Sequence, residues 1–172
     1  MGLFDFFKKK NTQQNSTGQS TQTNNDIDNA QQEFINNSTA NAEKIIEGFG
    51  EKYNKAFDYS VKSLETLDTL LDNFADYAEE MGDEMKQNLI AQAGSYIFEV
   101  ARRNFGGKYF WYDQMNQPIL VTGLPNYEIS LVAFNKVKMR IENGIEDNIP
   151  FFFQGYSERV LKAKTGDRAM II

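Results

Sequence analysis

The sequence predicts an α+β fold: N-terminal amphipathic helices, a three-stranded antiparallel meander, then C-terminal helices. Three observations predict it. Apolar residues recur at steps of three or four through the first half of the chain. Immediately after Gly106-Gly107 the period changes to short aromatic and β-branched runs separated by turn residues. Helical spacing returns after Asn135. Along the chain this divides into an apolar and basic tip (1–10), a polar linker expected to be disordered (11–25), a long amphipathic helical arm (26–57) and a compact α+β domain (58–172).

The tip places Leu3, Phe4 and Phe7 ahead of Lys8, Lys9 and Lys10. Signal peptides have the reverse order, and Phe6 stands where a myristoylation motif needs Ser or Thr. One reading is a weak interfacial anchor, the apolar side chains entering a bilayer while the lysines meet anionic headgroups. The plainer reading is a solvated terminus, which we prefer because one short apolar turn gives marginal, reversible binding. Asn11 to Asn25 holds only Asn, Gln, Ser and Thr apart from Gly18, so nothing in it can be buried profitably.

In the arm, Ile27, Ala30, Phe34, Ser38, Ala42, Ile45, Phe49 and Tyr53 form one thin helical stripe, with Gly48 and Gly50 positioned to bend or divide it. Ser60 or Ser63 can cap the next helix, whose stripe runs Leu64, Leu67, Leu71, Phe74, Ala78, Met81, with Leu70 and Tyr77 widening its face, and ends at Gly82. Asp83 can cap a third, with Leu89, Ala93, Tyr96, Ile97 and Val100 inward and Arg102 and Arg103 in the last turn. Strands are expected at 108–113, 118–122 and 127–134. A short helix follows, capped by Asn135, with Val137 and Ile141 inward. A last helix is capped by Asp147 or Asn148, with Pro150 in its first turn and Ile149, Phe152, Phe153, Tyr156 and Val160 inward.

The chain has 172 residues, with no Cys and no His. Disulfides, thiol nucleophiles, zinc knuckles, Ser-His pairs and imidazole switches are thereby excluded. Net charge is −6, distributed unevenly: residues 31–100 carry 14 acids against 5 bases, and residues 101–172 carry 10 bases against 7 acids. An acidic chain lacks the basic footprint that duplex nucleic acid needs. No run of apolar residues is long enough to cross a membrane. The expected location is cytoplasmic, extended to the inner membrane face if the tip binds lipid.

Candidate chemistry is sparse. The densest carboxylate cluster, Glu79, Glu80, Asp83 and Glu84, lacks the ligand spacing of a calcium loop and reads as a solvated helix end; no metal or cofactor is expected. Lys164-Thr165-Gly166 has no Ser-x-x-Lys to accompany it, and Gly48-x-Gly50-x-Lys52 lacks phosphate-loop spacing. Tyr96, Glu99 and Arg103 share one helix face, and Glu99 to Arg103 is a favourable i,i+4 ion pair. Beside Trp111 and Arg140, that row has the groups to bind a small polar ligand or transfer a proton. The alternative is a partly buried pair that fixes helix to sheet, the commoner role for charges near a core.

Three blocks carry a resemblance. Phe57-Asp58-Tyr59-Ser60-x-x-Ser63-Leu64-x-x-Leu67-Asp68 resembles the opening of a family of small bacterial proteins of unknown function. Gly94-x-Tyr96-x-x-Glu99-Val100-x-Arg102-Arg103-x-x-Gly106-Gly107-x-x-x-Trp111 is similar to its second block, and Val137-x-x-Arg140-Ile141-Glu142-Asn143-Gly144-x-Glu146-Asp147 to its third. Phe98 departs from the pattern, standing where a glycine would let helices approach closely. The resemblance implies a bacterial cytosolic α+β domain and transfers no activity.

The expected function is therefore a non-enzymatic binding or accessory protein, such as an immunity or regulatory partner. It would dock another protein through the acidic helical region. A small-ligand or enzymatic domain built on the Tyr/Glu/Arg row is the first alternative, and a peripheral membrane adaptor led by the tip is the second.

Overall fold

The computed structural model describes residues 22–172, with side chains from Asn29 onward. The tip residues Leu3, Phe4, Phe7 and Lys8 to Lys10 lie outside the described residues. Ten elements follow: α1 (Gln22–Phe49), α2 (Ser63–Ala75), α3 (Asp83–Phe105), β1 (Lys108–Tyr112), β2 (Gln117–Thr122), β3 (Glu128–Leu131), α4 (Ala133–Asn143), a 3-10 turn (Gly144–Asp147), α5 (Ile149–Lys162) and β4 (Arg168–Ile171).

The helices form where apolar spacing dictates, but two end early. α1 stops at Phe49, at the Gly48-x-Gly50 break, and the chain then turns with Asn54 and Lys55 at positive φ. α2 stops at Ala75; beyond it Tyr77, Ala78 and Glu80 bond three residues back, a tightened turn. The physical reason is charge. Asp76, Glu79 and Glu80 crowd the negative end of the helix dipole, where acids are unfavourable, and no buried side chain offsets them there except partly Ala78 and Met81.

α3 is the axis of the molecule. Every residue from Ala93 to Ala101 is buried, including Ser95, Phe98 and Glu99, so this helix has no solvent face along its middle. α1 packs along it through Phe34, Ser38, Ala42 and Ile45, α4 packs on its other side, and α2 meets α4 and α5. Close approach is made at Gly94 rather than at 98. A Cβ on Gly94 would run into the Phe134 ring, while Phe98 fills the space between Tyr109 and Phe134 with ring centroids 5.6 Å from each.

The meander is present: β1 pairs antiparallel with β2 (Tyr109 opposite Leu120) and β2 with β3 (Leu120 opposite Leu131). The expectation of three strands and a helical C-terminus is corrected. A fourth strand, β4, pairs in parallel with β3, giving the order β1-β2-β3-β4 and a mixed sheet. In the five residues between α5 and β4, Lys164 to Asp167 reverse the chain, with Asp167 accepting from the Lys164 N–H and Gly166 bonding back to Asn126. Ala169 and Ile171 then alternate inward, a period of two that four residues barely register.

Alternation splits the sheet into two faces. Tyr109, Trp111, Leu120, Ile129 and Leu131 join the helices in the main core, while Ile119, Val121 and Val132 form a small second cluster with Tyr112 and Met115. At the α3–β1 turn Gly106 and Gly107 take φ of +74° and +136°, conformations that L side chains avoid. The first of these carbonyls is tied down by the Thr122 hydroxyl at 2.9 Å. The outer edge of β1 is covered at Tyr109 by a side chain. The Gln31 amide donates to the Tyr109 carbonyl (2.6 Å) and accepts from the Tyr109 N–H (2.8 Å), so one side chain stands in for a neighbouring strand.

Candidate functional site

The sequence row divides into separate places. Tyr96, Glu99 and Arg103 lie together on α3. Trp111 sits on β1 among the main-core residues, and Arg140 sits on α4 in a different charged cluster.

Glu99 is 0% exposed and fully engaged. Arg102 grips it with two parallel bonds (Nε to Oε1 2.9 Å, Nη2 to Oε2 2.8 Å), and Arg103 Nε adds a third at 3.1 Å. The Tyr109 hydroxyl approaches Oε1 at 3.4 Å and bonds the Ser38 hydroxyl at 2.9 Å, which links α1, α3 and β1. Burial pushes the Glu99 carboxyl up, but the bonds and charges of Arg102 and Arg103 outweigh it and hold the pKa below the ordinary value. Glu99 is therefore an ionised strut: it has no proton to give near neutrality, and its lone pairs are already committed.

Tyr96 is equally engaged. Its hydroxyl donates to the Ser63 hydroxyl (2.8 Å) and accepts the Tyr59 N–H (3.1 Å), while its ring stacks on Tyr59 at 5.0 Å. Burial raises its pKa. Asn104 Nδ2 closes the loop by donating to the Tyr59 carbonyl at 3.0 Å. Sequence reasoning missed Tyr59, Ser63 and Asn104 as members of this cluster. Tyr59 and Ser63 had membership in the first motif block as their signal, and Asn104, at an unspecified position of the second, had none.

Arg140 is 1% exposed and belongs to a clasp at the other side of the core. Asp68 accepts from its Nε (2.9 Å) and Nη2 (3.1 Å), and Asp72 accepts from Nη2 at 2.7 Å. Asp68 also takes the Asn148 side chain (3.1 Å) and the Ile149 N–H (2.9 Å), so the carboxylate on α2 anchors the first turn of α5. Lys136 and Asn143 hold Asp147 alongside. The first motif block is thus tied to the second through Tyr59, Ser63 and Tyr96, and to the third through Asp68 and Arg140.

The cavity among Phe34, Ser38, Ser95, Phe98, Tyr109, Pro118 and Phe134 has room for about 10 Å³, the scale of a single water. Among the described residues no three carboxylates gather closely enough to hold a metal ion.

The outer surface is more distinctive at the α2–α3 corner. Tyr77 is 61% exposed and Met85 59%, and Asp76, Glu79, Glu80, Asp83 and Glu84 are exposed around them. The nearby Lys86 is drawn away to Glu142 at 3.7 Å. Among the described residues no helix is long and apolar enough to cross a membrane. No family model, curated protein or solved structure matches the chain, so the three motifs stand as a resemblance alone.

Proposed function

We propose that the chain is a non-enzymatic binding or accessory protein that docks a basic protein partner through the acidic α2–α3 corner. The observation that carries this reading is the pair of exposed apolar anchors, Tyr77 and Met85, set within five exposed carboxylates. Aromatic and Met side chains are the groups that interface centres favour, and a ring of like charge steers a partner of opposite sign. The enzymatic alternative draws less support, because Glu99 and Tyr96 have their polar atoms committed to neighbours and Arg140 lies in another cluster.

The test is a photo-crosslinking residue at position 77 in the full chain, expressed in its native host, with position 161 on α5 as an exposed control. A discrete adduct at 77, absent at 161 and lost in Glu79→Lys/Glu80→Lys, is expected. Identical adducts at both positions, or none at 77, would sink the reading.

A further inference from the structure

Tyr59 breaks two local rules at once. Its φ is +61°, a region that bulky side chains rarely adopt. Its hydroxyl is buried with no hydrogen-bond partner among the described residues. The loop's main chain does not call for a tyrosine: the bonds from Asn104 and to Tyr96 both use Tyr59 backbone atoms, which any residue supplies. One face of the ring stacks on Tyr96, and the ring has a second contact. It carries the Arg103 guanidinium, whose central carbon lies 3.6 Å above the ring centroid. Backbone outliers of this kind gather where a group is being held ready for a ligand.

Arg103 is thereby fixed from two sides, by the Tyr59 ring and by Glu99 at its Nε. Its Nη1 and Nη2 make no hydrogen bond among the described residues, and the side chain is 39% exposed. Arg102 is held by the same carboxylate through both Nε and Nη2, with Nη1 left over and 25% of the side chain exposed. Two arginines share one carboxylate, so the trio retains a single positive charge. Glu43 on α1 is close enough for its charge to be felt at Tyr59, but it forms no ion pair with either arginine among the described residues.

An immobilised guanidinium with free terminal N–H groups is the donor set that oxyanions fit, and its ordering cost is already met by the fold. We infer that Arg103, assisted by Arg102, forms a binding site for an oxyanion, the carboxylate or phosphate group of a ligand. The site stands apart from the acidic corner. Nineteen residues of α3 separate Asp83 from Arg102, about 28 Å of helix, so neither proposal depends on the other.

The test uses the isotopically labelled full chain, titrated separately with acetate and with inorganic phosphate at ionic strength held constant by chloride. Followed by NMR, the arginine Nε–H signals of Arg102 and Arg103 and the amides of Tyr59 and Asn104 are expected to shift together and saturate for at least one anion. The anion that saturates names the ligand group. Arg103→Lys keeps the charge but loses the fork and the stack, and should weaken the saturating response about tenfold. Tyr59→Leu should weaken it in the same direction by releasing Arg103. Shifts spread over all surface lysines and arginines, or no saturation with either anion, would overturn the inference on the unaltered protein alone. An undiminished response in a folded Arg103→Lys variant would do the same.

Discussion

Asp68 is the residue whose replacement most directly tests how this core is held. Its carboxylate accepts four hydrogen bonds, two from Arg140, one from the Asn148 side chain and one from the Ile149 N–H. In Asp68→Asn the shape is kept, one oxygen remains an acceptor, and an NH2 group now faces the Arg140 guanidinium. Arg140 is 1% exposed, so its charge cannot turn to water. Asp72 still reaches Nη2 at 2.7 Å, which retains part of the compensation. Removing one partner of a buried pair costs about 3–5 kcal/mol, and the surviving Asp72 contact places this case near 3 kcal/mol. For a chain of this size that is a fall in Tm of about 6–12 °C. Urea denaturation with an unchanged m-value measures it. Asp68→Asn/Arg140→Met removes the stranded charge as well, and should recover more than half of the loss. A single variant within about 1 kcal/mol of wild type, or a double variant whose losses simply add, would refute the argument that the buried charge is the source of the cost.

Three further predictions concern different layers of the structure. Gly94→Ala should destabilise by about 1–2 kcal/mol despite alanine's better helix propensity, because the new methyl group meets the enclosed Phe134 ring; Phe134→Leu in the same chain should relieve it, and a stabilised single variant contradicts the packing described. Gln31→Ala should cost about 1–2 kcal/mol and speed hydrogen exchange at the Tyr109 amide, whereas unchanged exchange there would mean the side chain is not protecting β1. Acid sensitivity follows from two carboxylates held below their ordinary values: Asp147, chiefly by the bond from Lys136, and Glu99, whose burial is outweighed by Arg102 and Arg103. Because the unfolded chain takes up their protons first, this stability is complete above the ordinary carboxylate range and is lost as pH falls through the folded-state values. The urea midpoint should therefore fall between about pH 5 and 2, and less steeply in Glu99→Gln; equal slopes would remove Glu99 from the account.

The elements most legible in the sequence were those with long, regular stripes. Ile149, Phe152, Phe153, Tyr156 and Val160 are all buried on α5 as spaced, and Asn148 caps that helix by accepting from the Phe151 N–H. The meander was legible from its aromatic and β-branched runs. β4 was not, since four residues give two alternations, and a parallel partner 40 residues back leaves no local mark. The cap expected at Asn135 is also absent: α4 begins at Ala133, and the Asn135 N–H instead donates to the buried Gln117 side-chain oxygen. At the candidate site, i,i+4 spacing on one helix revealed Glu99 and Arg103. The i,i+3 spacing of Arg102 was equally readable and went unused, whereas the Tyr59 ring could not be read at all, since it arrives from another segment and its contact depends on tertiary packing. Nor could spacing separate Arg140 from that row, because its partner Asp68 lies 72 residues away.

The Gln31 amide on Tyr109 has a bearing on assembly. A sheet with two bare edges can recruit copies of itself on both sides and grow without limit. Here the Gln31 side chain uses up the outward N–H and C=O of Tyr109 at the β1 edge, so a strand arriving there would have to displace it. Gln31→Ala would leave those two groups open to a strand from another chain, so the substitution that loosens β1 would also expose a pairing site.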